Sequence, residues 1–249
     1  MKLKFIISVF LLITFPFVLI NSQDIHFSQF NFSPLNLNPA LTGSFNGDYR
    51  FAGIHRNQWS SVSIPYKTFA FSAEKNKLFA DPFSLGIQIN QDKAGDSRFN
   101  TFQVNISGAY QFKLNDSTQY ISTGVQFGIT NRNLNFDPLS FDAQYNGSYY
   151  DPNLPNQENF STDSRIYPNI NAGISHHYIF PNKNMLQSGV ALYNLNSSKQ
   201  SFYNDNNIRL DPRIVLHSKL KFKLNTKINI IPAICWMKQG KHQEVIISM

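Results

Sequence analysis

The chain has 249 residues, of which 42% are hydrophobic, 14% aromatic and only 15% charged. Soluble domains carry roughly 25% charge, so an ordinary soluble enzyme is disfavoured, and the aromatic content excludes disorder. The formal net charge is +7, but Lys and Arg are scattered rather than clustered, so no nucleic-acid partner is expected. Asn, Ser and Gln supply the polarity, Asn alone making up about an eighth of the chain. No apolar run of about 18 residues follows the first one, which excludes a multi-span helical membrane protein.

That first run opens the chain. Met1-Lys2-Leu3-Lys4 precedes an apolar stretch from Phe5 to Ile20, followed by Asn21-Ser22-Gln23. A basic start, an apolar core and a small residue at the exit describe a secretory signal peptide over residues 1–22. An N-terminal membrane anchor is the competing reading, and Pro16 and the polar exit argue against it. Without Lys2 and Lys4, 20 basic and 15 acidic side chains remain. Export makes disulfides possible, yet Cys235 is the only cysteine and no disulfide framework exists.

Residues 23–47 precede the first strand, and from residue 48 the dominant period is two. Phe83, Leu85, Ile87 and Ile89 alternate with Ser84, Gly86, Gln88 and Asn90. Ile121, Val125, Phe127 and Ile129 alternate with Ser122, Gly124, Gln126 and Gly128 in the same way. Such alternation is the strand signature. Ten strands are expected, at 48–58, 66–74, 83–91, 99–113, 118–130, 166–179, 185–195, 210–223, 226–237 and 241–248. Globular strands average about 5–6 residues, whereas a tilted membrane-spanning strand needs about 9–11. The connections after even-numbered strands are mostly tight, and those after the third, fifth and seventh are long and polar, the asymmetry of an outer-membrane barrel. The fold class is therefore all-β, an antiparallel transmembrane β-barrel over residues 48–249. Its lumen is expected to be lined by Gln, Asn, Ser, Thr and Gly, with Phe, Val and Ile facing outer-membrane lipid. Trp59, Tyr66, Tyr110, Tyr120, Tyr178, Tyr193 and Trp236 lie near strand ends and divide between an interfacial girdle and simple cross-strand packing.

Several short motifs stand in order along the chain. They begin with Phe27-Ser28-Gln29, then Asn38-Pro39-Ala40 with Gly43, and continue with Arg56-Asn57-Gln58-Trp59 and Pro65 with Thr68. Later come Leu139-Ser140-Phe141-Asp142 with Gln144, Arg213 with His217, Pro232, and Gln239-Gly240 with Glu244. In these pieces the chain resembles the PorP/SprF family, outer-membrane proteins of the type IX secretion system of gliding and secreting Bacteroidota. The resemblance implies a component without enzymatic activity or cofactor. It also implies secretion-system and motor components and a secreted adhesin-like client as partners. The family usually continues with further strands beyond the Gln239-Gly240 turn, so the expectation is a C-terminally shortened member, although ten strands is an even number that permits closure.

The motifs also carry a physical reading. Asn38 before Pro39 is pushed into an extended or turn conformation, and Gly43 can take a positive φ where the chain turns into the first strand. Residues 23–47 are thus expected to form a shaped N-terminal plug packed under or inside the barrel. Arg56 and Gln58 share one strand face, Asn57 and Trp59 the other. A lumen-side Arg56 meeting the plug would be a structural latch, and a direct contact with a secreted partner is the sharper alternative.

Chemistry-bearing patterns are missing from the sequence. His176 and His177 are adjacent and point to opposite faces of a strand, so they cannot share a metal. No zinc spacing, phosphate loop or nucleophile elbow occurs. The acidic residues fall mainly in turns, where they bond local backbone. Against the secretion reading stand a diffusion channel with a neutral polar lumen, a soluble carbohydrate-binding sandwich, and a lipid-transport barrel.

Overall fold

The computed structural model describes residues 24–61, 64–78, 82–95, 99–114, 118–135, 139–158, 162–203, 205–225 and 228–249. The leader expected over residues 1–22 lies outside them. The strands are β1 (Tyr49–Gln58), β2 (Tyr66–Lys75), β3 (Phe83–Ala94), β4 (Phe99–Leu114), β5 (Gln119–Asn133) and β6 (Ser164–Ile179). They continue as β7 (Met185–Tyr193), β8 (Arg213–Lys223), β9 (Asn229–Ile230), β10 (Ala233–Gln239) and β11 (His242–Ser248). All neighbours are antiparallel and follow chain order, apart from the two-residue β9, which pairs with β8 beside the main path. The result is an all-β sheet whose main path of ten strands curls into a half-barrel.

Strand polarity explains the curl. On β5, Val125, Phe127 and Ile129 are 49%, 58% and 61% exposed, while Ser122, Gln126 and Thr130 between them are buried. The same inversion runs through β3, β4 and β6, whose buried residues include Gln88, Asn90, Asn105, Ser107, Asn169, Asn171 and Ser175. An antiparallel sheet in water buries its apolar face and solvates the polar one. Here the apolar face is outermost, which is stable only where the surroundings are hydrocarbon.

The ninth expected strand is broken. Pro232 has no N–H to give the ladder, so pairing with β8 stops after Ile230 and resumes at Ala233. The expected aromatic roles divide as well. Trp59 and Tyr66 are exposed at strand ends. Tyr193 is instead buried in the lumen, donating to the Leu35 carbonyl at 3.0 Å. Tyr120 stacks on buried His177 with ring centroids 4.2 Å apart. Both sit on the inward parity of their strands, which removes them from a lipid girdle.

β1 pairs only with β2, and β11 only with β10, among the described residues. Inside the curl lies the N-terminal plug, made of a 3-10 turn at Phe30–Phe32, one helical turn at Pro34–Leu37 and a second 3-10 turn at Pro39–Leu41. Its Phe30, Leu37 and Leu41 join Ala191, Val215, Ala233, Cys235 and Met237 in an apolar cluster on the β7–β8–β10 wall. Elsewhere the plug meets a polar wall.

Placing a charge on the outward face tests this inside-out arrangement. Phe127→Arg, near the middle of β5, should cost roughly 2–4 kcal/mol if that face meets lipid. Unfolding midpoints in micelles measure it, and a neutral effect would mean that the face meets water.

Candidate functional site

The plug and the wall around it bring together side chains far apart in sequence, 217 positions in the case of Asn31 and Ser248. Asn38 lies at the centre and is fully buried. Its backbone is extended, at φ −163° and ψ 122°, as a residue before proline prefers. Its Oδ1 caps the second 3-10 turn by accepting from the Ala40 N–H at 2.8 Å. Its Nδ2 donates to the carbonyls of Ile174 on β6 and Val190 on β7, at 3.1 and 3.2 Å, and lies 3.0 Å from His217 Nε2.

The approach is possible because the wall has glycines where Asn38-Pro39-Ala40 sits. A Cβ on Gly124 would stand 2.5 Å from the Pro39 carbonyl and the Ala40 nitrogen. A Cβ on Gly189 would stand 2.5 Å from His217 Nε2 and 2.7 Å from Asn38 Nδ2, and one on Gly173 would collide with Asn38 Oδ1. Gly124 and Gly173 are direct cross-strand partners. Together the three glycines form a seat for the Asn-Pro-Ala turn. Ser122 completes it by donating to the Ala40 carbonyl at 2.7 Å.

Four arginines hold the plug from the wall. Arg56 donates to the His26 carbonyl at 3.1 Å and to Thr68 at 3.2 Å. Arg213 donates to the Ile25 carbonyl at 3.0 Å. Arg50 donates to the Leu41 carbonyl at 3.2 Å and grips Glu74 through two bonds of 2.8 and 2.7 Å. Arg132 pairs with Asp24 at 3.8 Å and donates to Gln200. Each guanidinium also lies within 6 Å of an aromatic ring centroid: Phe27, Tyr193, Phe45 and Tyr167 respectively. A planar fork with five donors suits this double duty better than an ammonium would.

The sequence motifs therefore meet in space. Asn38, Pro39, Ala40, Arg56, Arg213 and His217 converge on the plug, and Gln239 joins them by accepting from the Asp24 N–H at 2.9 Å. Gly43 has φ +72°, and its N–H donates to Glu74 at 3.1 Å. Gly240 has φ +55° at the β10–β11 turn, where a Cβ would strike the Asp211 carboxylate. Gln58 and Trp59 stand exposed at the end of β1. Phe141, Asp142 and Gln144 belong to the long connection after β5. There buried Gln144 accepts from the Phe141 N–H at 3.2 Å and donates to the Leu154 carbonyl at 3.1 Å.

Sequence reasoning missed Arg50, Arg132, Glu74 and the three seat glycines. Acidic residues were expected mainly in turns, yet Glu74 lies inside β2, only 3% exposed. Inward parity could have flagged it, since it shares a face with Thr68, Ala70 and Ser72.

Two vestibules flank the plug. One of about 720 Å³ lies at the long-connection end, lined in part by Lys67, Lys93, Asn100 and Asp163. The other, of about 490 Å³, lies at the short-turn end. Voids beside the plug itself are about 10 to 30 Å³, room for a water or two.

A curled antiparallel sheet with apolar side chains outward and a polar, plugged interior is the wall of a membrane β-barrel. The family described as type IX secretion system membrane protein PorP/SprF matches residues 19–249, and the chain belongs to it. It is accordingly a membrane component of that secretion system. Searches of curated proteins and of solved structures each returned no match.

Breaking the buried ion pair tests the grip on the plug. Glu74→Ala strands a guanidinium in the lumen and should cost roughly 3–5 kcal/mol in chemical denaturation. Gly124→Ala should cost about 1–3 kcal/mol by overpacking. Gly53→Ala, whose Cβ would meet nothing closer than 3.9 Å, should stay within about 0.5 kcal/mol.

Proposed function

We propose that the protein is a non-enzymatic outer-membrane component that assists export or surface attachment of an adhesin-like client. In this reading it docks to the secretion and gliding machinery. Residues 1–22 are the cleaved leader, residues 23–47 the plug, and residues 48–249 the wall. Arg56 and Arg213 are the latches that keep the plug seated, and the long connection after β5, organised by Gln144, meets the client.

One observation carries this reading over a diffusion channel. The lumen is occupied by the protein's own N-terminal segment, with Leu35, Asn38 and Thr42 at most 0% exposed to solvent. A channel needs a continuous water-filled path. A scaffold needs a rigid body with shaped ends, and a plug bonded to the carbonyls and side chains of its wall supplies that. The soluble sandwich is disfavoured by the outward apolar face, whose Phe71, Ile106, Phe127 and Ile174 would otherwise stand in water.

Two measurements test it. In planar bilayers the purified protein should give no steady pore current, and a steady conductance would favour the channel. In cells lacking the protein, surface biotinylation should show loss of an adhesin-like protein from the outside. The native chain should restore it, and Arg56→Ala/Arg213→Ala should restore it only partly. An unchanged surface protein profile would sink the proposal.

A further inference from the structure

The two mouths of the lumen differ in charge. The long-connection vestibule has Lys67 and Lys93 together with Asp163. The short-turn vestibule is lined by five lysines: Lys77 after β2, Lys113 on β4, Lys183 between β6 and β7, and Lys219 and Lys221 on β8. No acidic residue lines it among the described residues. Glu74, which accepts from the Gly43 N–H of the plug, is already held by two bonds from Arg50.

We propose that this short-turn vestibule is a binding site for an acidic peptide segment of a partner protein. The proposal goes beyond the secretion reading and does not depend on which client is served.

Three features carry it. The first is one-signed charge around a concave mouth, which focuses field lines and draws in counter-charge. Lys113, Lys183, Lys219 and Lys221 have no carboxylate partner among the described residues, so no described side chain cancels their charge. The second is distribution. The ammonium groups come from separate strands and turns around the rim, a pattern suited to several carboxylates along a chain. A single phosphate would call for donors converging on one point. Lysines, as mobile point charges, tolerate such variable spacing. The third is the remaining lining: the amides of Gln111 and Gln119 are of a type that donates to and accepts from a peptide backbone, while Asn76 and Gln187 bond the plug and its wall. The plug residues Gly43 to Asn46 close the floor. A volume of about 490 Å³ therefore admits a short stretch of chain and leads no further, which leaves no apolar shaft for a lipid tail.

The test uses the full chain in phosphatidylcholine nanodiscs and a fluorescein-labelled peptide of six glutamates, read by anisotropy. Binding should weaken with added salt. Lys113→Gln/Lys183→Gln/Lys221→Gln should weaken it about tenfold or more. Lys67→Gln/Lys93→Gln/Lys199→Gln removes the same charge from the opposite end and should leave it unchanged. Each variant is first matched to the native chain by its heat-modifiable migration. Lys183→Gln alone, an exposed rim change, should still weaken binding about twofold. Equal loss in both triple variants, or loss in neither, would overturn the site. Should the vestibule variant lose binding of inorganic pyrophosphate or phosphatidylglycerol vesicles while keeping the peptide, the peptide assignment fails and a phosphate ligand replaces it.

Discussion

Asn38 engages both ends of its amide inside the half-barrel, bonding its own turn through Oδ1 and two wall carbonyls through Nδ2. The rest of the architecture follows from the need it answers. Hydrocarbon outside forces Phe, Val and Ile outward, and period-two geometry then turns every intervening Asn, Gln and Ser inward. A lumen so lined is full of donors and acceptors that cost about 1–3 kcal/mol each if buried without partners. Neighbouring wall side chains supply some of those partners, as Gln126 does for Asn171, and the plug supplies others. Asn36 and Asn90 bond reciprocally at 3.1 and 3.0 Å, and Thr42 meets Ser107 at 3.0 Å. Gln126 reaches the Leu35 carbonyl at 3.4 Å. Plug and wall are therefore one hydrogen-bonded body.

The plug also links the two ends of the sheet. His26 accepts a bond from Arg56 of β1 through its carbonyl and sets Nε2 3.1 Å from a Glu244 carboxylate oxygen of β11. Asn31 donates to Ser248 of β11 at 3.0 Å. Neither edge strand pairs with the other among the described residues, so these side-chain contacts are what connects them. They span 217 positions in the case of Asn31 and Ser248, whereas the wall is a run of hairpins between sequence neighbours. Because the β10–β11 contacts need those strands in place, the plug can reach its full set of partners only once the sheet has been built along its whole length.

This division explains which features were legible in the sequence. Strands such as Phe83–Ala94 and Gln119–Asn133 were readable because alternation is a local property and membrane thickness makes them long. The break at Pro232 was readable in principle, since a missing N–H is a property of one residue. Parity assigned Arg56 and Gln58 to one face, but it says nothing of depth. Arg56 meets the plug, while Gln58, two residues nearer the strand end, is exposed. Tyr193 was ambiguous for the same reason, because position near a strand end does not reveal which face it occupies until the register is fixed. The glycine seat was hidden more deeply. Gly124, Gly173 and Gly189 look like ordinary small residues on an inward face. Their meaning depends on Asn38 arriving from more than eighty positions away.

The plug also determines what the two mouths can do. Voids of about 10 to 30 Å³ beside it hold a water or two, and the two vestibules lie at opposite ends of it. Any coupling between them must travel through the plug or through the wall. The plug is not held chiefly by grease. Arg50, Arg56 and Arg213 donate to its carbonyls, Arg132 pairs with Asp24, and Arg50 and Arg56 also face its Phe45 and Phe27 rings; directional contacts of this kind fix register where apolar contacts would tolerate sliding. Displacing the plug would take the Leu41, His26 and Ile25 carbonyls from Arg50, Arg56 and Arg213 and the Asp24 carboxylate from Arg132 at once, a penalty that a weakly binding partner at either mouth could not offset. A plug held in this way makes a body that transmits position rather than a gate that opens, the property that the proposed docking role would need.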